Sequence, residues 1–177
     1  MSTESILKRS RAEMFLRVAL VIMGVIALFS FVSLVSAEGS TRISGIGYFP
    51  EEGECDQVAA LGADFANKME GDLQGCLYVF VDADSIRETP GGVYIERGSE
   101  LYIGSGEEGD DGSFETTYLY TAKFDDSGQQ FGRCQHPIVA GTGSGDYAGA
   151  TGRIDFKDTI EDGVAVYFPY TGNLKTS

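Results

Sequence analysis

The chain has 177 residues, with 13 Lys or Arg against 27 Asp or Glu and a single histidine, for a formal net charge of −14. Taking away the four basic and two acidic residues of segment 1–37 leaves 9 against 25, a net charge near −16 on about 140 residues, enough for one ordinary domain. Such a surface has no basic stripe and no source of counterion release, which excludes a nucleic-acid partner.

The chain opens with Lys8, Arg9, Arg11 and Arg17, runs without charge over residues 18–35, and reaches Val35-Ser36-Ala37 before Glu38. A basic start, an apolar centre and small residues at the end form the pattern of a secretory signal peptide, with cleavage expected after Ala37. Eighteen apolar residues also suffice for a slightly short membrane helix, so the alternative is a retained anchor over 18–35. With the basic residues inside, the domain lies outside the cytoplasm on either reading, and a membrane is a partner only through an uncleaved segment. An oxidising exterior favours one disulfide among Cys55, Cys76 and Cys134, with one thiol left over; spacing alone does not choose the pair.

Residues 38–55, rich in Gly, Ser and Glu with Pro50 among them, read as a partly ordered lead-in. From 56 to 70, Val58, Leu61, Phe65 and Met69 recur at spacings of three and four between Asp56 and Gly71, which predicts a short helix. Residues 76–81, after Gly75, read as a buried strand. Residues 93–96 and 101–103, divided by Gly98 and preceded by the turn Pro90-Gly91-Gly92, predict a hairpin or one long bulged strand. Over 114–124 the alternation is strict: Phe114, Thr116, Tyr118, Tyr120, Ala122 and Phe124 share one face, with Glu115 on the other. Ile154 and Phe156 alternate in the same way, and 164–170 is again aromatic and β-branched. Short strands separated by Gly-rich turns, with little helix between, indicate an all-β antiparallel sandwich or closed barrel.

Residues 141–156 read GTGSGDYAGATGRIDF. A phosphate loop needs its glycines to open a helix, and this segment runs into a strand instead. The physical reading is a bulge or tight crossing, with Tyr147 covering the bend. The stretch 143–152, with Gly143, Gly145, Tyr147, Gly149 and Gly152, resembles the Gly-[ST]-Gly-x-[FY]-x-Gly-x-x-Gly signature of allene oxide cyclase and dirigent-type barrels. The likeness extends back to residues 114–118 and forward to Tyr170-Thr171-Gly172, about 72–174 in all. Residues 132–138 look most like secreted bacterial proteins with a cyclase-barrel-like domain.

The resemblance implies an eight-stranded antiparallel β-barrel over 72–177 with an apolar interior, and homo-oligomers, trimeric in the plant proteins. It carries over no catalytic residue, because the N-terminal catalytic part of the plant enzymes has no counterpart in the lead-in. Cys76 and Cys134 lie inside the family-like region, which makes them the first choice of disulfide, with Cys55–Cys76 the alternative.

Tyr78, Phe80, Tyr94, Tyr118, Tyr120 and Tyr167 are candidate lining for a cavity that holds a small apolar or aromatic ligand, the alternative being packed core. His136 between Cys134 and Pro137 reads as a strand-edge histidine bonded locally rather than a metal ligand. Glu107, Glu108, Asp110 and Asp111 form an acidic loop without the regular order of a calcium site. No metal or cofactor is expected. Two functions follow: a secreted non-catalytic ligand-binding or structural barrel, or an isomerase-like enzyme confining an apolar substrate.

Overall fold

A computed structural model describes residues 39–107 and 109–177; the expected signal or anchor lies outside them. Eleven strands follow in chain order: β1 Thr41–Tyr48, β2 Phe65–Gly71, β3 Gly75–Val81, β4 Arg87–Glu88, β5 Val93–Gly104, β6 Gly112–Asp125, β7 Gly128–Pro137, β8 Ser144–Gly145, β9 Thr151–Lys157, β10 Thr159–Glu161 and β11 Val164–Lys175. Eight of them, β1, β2, β3, β5, β6, β7, β9 and β11, pair antiparallel each with the next, and β11 returns to β1. The result is a closed up-and-down barrel with no free edge among these staves. The three short strands decorate its connections, β4 on β5, β8 on β6 and β10 on β11.

The alternation that predicts strands also fixes their inner faces. Phe114, Thr116, Tyr118 and Ala122 of β6 are buried, while Glu115 is exposed. Residues 93–104 form a single strand rather than a hairpin. At its centre Gly98 has no side chain where a Cβ would sit 2.5 Å from the Tyr118 ring, so the ring lies flat across the strand.

Two expectations are corrected. The barrel begins at Thr41, not at 72, because β1 closes the sheet between β11 and β2. The helix expected over 56–70 is only α1, Val58–Leu61, ended by left-handed Gly62; Phe65 and Met69 belong to β2. Phe65 and Met69 are compatible with a period of two as well as with helical spacing, and two neighbouring ladders decide for the strand.

The disulfide joins Cys55 to Cys76, with Cα atoms 5.6 Å apart, and Cys134 is a free, buried thiol. This corrects the pairing of Cys76 with Cys134. Cys76 sits on the outer face of β3, Cys134 on the inner face of β7, and two strands separate β3 from β7 around the barrel. The bond pins α1 to the outer wall in a small second core with Ala66 and Tyr78.

Candidate functional site

The two ends of the barrel are built differently. At one end Tyr102 stacks on Phe114 with centroids 4.8 Å apart, and Tyr147 meets both edge-on at 5.3 and 5.2 Å. Tyr147 arrives there from the Gly-rich segment, which β8 ties to the start of β6. Gly143 is required at this point because a Cβ would lie 1.9 Å from the Tyr147 carbonyl, and Gly145 because its φ is +58°. Gly149 and Gly152 also hold positive φ. The motif that carries the family resemblance therefore makes the plug of the barrel.

Asp110 turns into this end instead of contributing to an open acidic loop. Its Oδ1 accepts the Tyr102 hydroxyl at 2.5 Å and the Tyr147 hydroxyl, and its Oδ2 accepts the Gln74 N–H at 2.6 Å. Tyr170 caps the same end, accepting the Leu73 N–H at 2.8 Å and donating to the Glu70 carbonyl at 3.1 Å. Burial, then the Asp110 hydrogen bond, pushes the Tyr102 and Tyr147 hydroxyls far above the ordinary tyrosine range.

The other end is open. A cavity of about 360 Å³ runs in from a mouth edged by Phe49, Phe65, Phe124 and Phe168, between walls that include Leu77, Val79, Cys134 and Phe156. Three carboxyl groups stand in it, Glu100, Glu96 and Asp158, and the β5–β6 register sets the depth of the first two. Deepest is Glu100, opposite Thr116, only 3% exposed. Its Oε2 accepts the Thr116 hydroxyl at 2.5 Å and lies 2.5 Å from His136 Nδ1. Midway, Glu96 accepts the hydroxyls of Tyr94 at 2.6 Å and Tyr118 at 2.7 Å. Asp158 accepts the Tyr120 hydroxyl at 2.8 Å and an amide hydrogen of Gln129, whose Nε2 also donates to the Tyr120 oxygen at 3.0 Å. Gly132 makes room for this last group, since a Cβ there would sit 1.8 Å from Asp158 Oδ2.

His136 is 4% exposed and packs its ring 4.6 Å from that of Phe156. A carboxylate can only accept, so Nδ1 carries the hydrogen of the bond to Glu100, and in the neutral ring Nε2 is left as a bare acceptor. Among the described residues it has no partner, and neither does Asn67 Oδ1, from a second cavity-lining residue. Buried polar atoms normally find partners, so two beside one cavity mark where water or a ligand would supply them. The strand-edge reading of His136 is corrected: β7 is paired on both sides, with β6 and with β9. Among the described residues no three His, Cys, Asp or Glu side chains gather as metal ligands.

Of the six aromatics predicted to line a cavity, Tyr94, Tyr118 and Tyr120 do so. Tyr78, Phe80 and Tyr167 do not, because they occupy the outward phase of their strands. Tyr78 fills the outer core against Cys55, Phe80 borders a shallow outer groove with Arg97 and Leu119, and Tyr167 is exposed. The carboxyl groups escaped sequence reading, although the signal was present. Tyr94, Glu96, Gly98, Glu100 and Tyr102 alternate in one phase, as do Ile154, Phe156 and Asp158.

The Cys134 thiol stands among all three carboxyl groups. Burial, then Glu100, Asp158 and Glu96 in that order, pushes it far above the ordinary thiol range. Comparison with protein-family models, curated proteins and solved structures finds no match, so what the site does rests on its own geometry.

Proposed function

We propose that this protein is an extracytoplasmic small-ligand-binding barrel of the allene oxide cyclase-like type. The observation that carries the reading is the cavity of about 360 Å³, open at one end, with aromatic walls and two unpartnered buried polar atoms. The Gly143 to Gly152 signature and the eight-stranded meander support the family placement. The signal-like pattern of 1–37 and the Cys55–Cys76 disulfide support the compartment. Titrating the full chain with a neutral polarity-sensitive fluorophore tests the reading. Saturable binding that is lost in Leu77→Trp, which fills the cavity, is the expected result, and equal binding by that variant would overturn it.

One observation favours a second reading, an isomerase-like enzyme. The Glu100 and His136 pair sets a bare, buried imidazole nitrogen within the cavity wall, a group that can serve as a general base for a substrate that reaches it. Recovery of bound ligand chemically unchanged after long incubation would exclude turnover of that ligand; its conversion, lost in His136→Asn, would establish catalysis.

A further inference from the structure

We propose that the barrel selects ligands with a protonated amine on an apolar body. This inference rests on the cavity being a binding site and deepens that reading by naming the ligand class.

The hydroxyl hydrogens and the Gln129 amide hydrogens inside the cavity are already committed. The hydroxyls of Tyr94 and Tyr118 donate to Glu96, that of Tyr120 to Asp158, and that of Thr116 to Glu100. Both hydrogens of the Gln129 amide are taken, one by Asp158 and one by the Tyr120 oxygen. Among the described residues no Lys or Arg lines the cavity. What a ligand meets is therefore chiefly carboxylate oxygens and hydroxyl lone pairs, with the Asn67 amide and the Cys134 thiol beside them. A lining in which acceptors outnumber the free donors rewards a group that only donates, and an ammonium donates three times.

Charge points the same way. Three carboxyl groups share the cavity with a single histidine, so an incoming anion meets charge of its own sign with no Lys or Arg among the described lining residues to offset it. The net charge near −16 on residues 38–177 extends that preference to the approach, raising the local concentration of cations at the mouth. The aromatic faces of Tyr94, Tyr118 and Phe156 add attraction for a cation, and the phenylalanine rim suits an apolar tail.

The test compares octylamine, octanol and octanoate, which share one tail and differ in the head, by calorimetric titration of the full-length protein. Octylamine is expected to bind at least about tenfold more tightly than octanol, with octanoate weakest, since a hydrogen bond to a charged group is worth roughly 1.5–3 kcal/mol. Glu96→Gln and Glu100→Gln keep shape while removing charge. Each is expected to weaken octylamine about tenfold and octanol far less, with an unchanged circular dichroism spectrum and denaturant midpoint reporting that the variant is folded. Equal binding of amine and alcohol, preference for octanoate, or variants that bind octylamine like the wild type would overturn the amine preference while leaving ligand binding intact. Failure of all three compounds to bind would overturn the binding reading together with it.

Discussion

Both ends of the barrel are made from tyrosines and carboxyl groups, yet one is solid and the other hollow. At the closed end Asp110 is a knot, holding two tyrosine hydroxyls and a backbone N–H while three aromatic rings interlock around it. At the open end the same chemistry is spread over Glu96, Glu100 and Asp158 against separate walls, and nothing descends from a loop to fill the space. The difference comes from the connections. The Gly-rich segment after β7 folds Tyr147 into the closed end, whereas Phe49, Phe65 and Phe124 only edge the mouth. Stability should therefore reside at one end and binding at the other, and substitutions can separate the two.

The largest effect is expected from the plug. Phe114→Ala removes a ring in contact with both Tyr102 and Tyr147 and should cost about 3–5 kcal/mol, read as a fall in denaturant midpoint. Next comes the outer clamp. Opening the Cys55–Cys76 bond, whose ends are 21 positions apart in the sequence, should cost about 3 kcal/mol and leave ligand affinity unchanged, because the second core lies outside the wall.

Matched hydroxyl deletions compare the two ends directly. Tyr102→Phe takes a donor from fully buried Asp110 and should cost about 1–3 kcal/mol. Tyr118→Phe should cost less than about 1 kcal/mol, because half-buried Glu96 keeps Tyr94 and is open to replacement donors. A larger loss at Tyr118 than at Tyr102 would reverse the assignment of the two ends.

The smallest effect at neutral pH is alkaline. Burial pushes Tyr170 up from 10.0 to about 12, and burial followed by the Glu96 hydrogen bond does the same for Tyr94. A group held above its unfolded value stabilises the fold fully below that value and ceases to do so as pH rises through the folded one. The denaturant midpoint should thus be insensitive to these tyrosines up to about pH 10 and fall from there towards 12. Tyrosinate absorbance from Tyr102 and Tyr147, held higher still, should appear only as the barrel unfolds.

The period-two signal in β6 made the barrel legible, and the Gly-rich stretch marked its special crossing. Residues 56–70 misled because 65 and 69 fit both periods, and the choice between them was made by strands β1 and β3, remote in sequence or paired only after folding. The cavity was half legible: Tyr94, Tyr118 and Tyr120 follow from alternation, while Tyr78 and Phe80 are aromatic residues of the outward phase that a second core had claimed. Glu96 and Glu100 were readable in phase with Tyr94 and Tyr102, but charge argued for solvent, and only the partners from β6 and β7 make burial tolerable. Cys134 was assigned to a disulfide from its place in the family-like region, which says nothing of the face a side chain takes.

The most direct test of the hollow end is a chemical-shift titration of the full-length protein with octylamine. The account predicts saturable shifts at His136, Tyr118 and Glu96, with Tyr102, Phe114 and Tyr147 unmoved. Shifts centred on the Tyr102 plug, or confined to outer-wall residues such as Arg97 and Leu119, would contradict it.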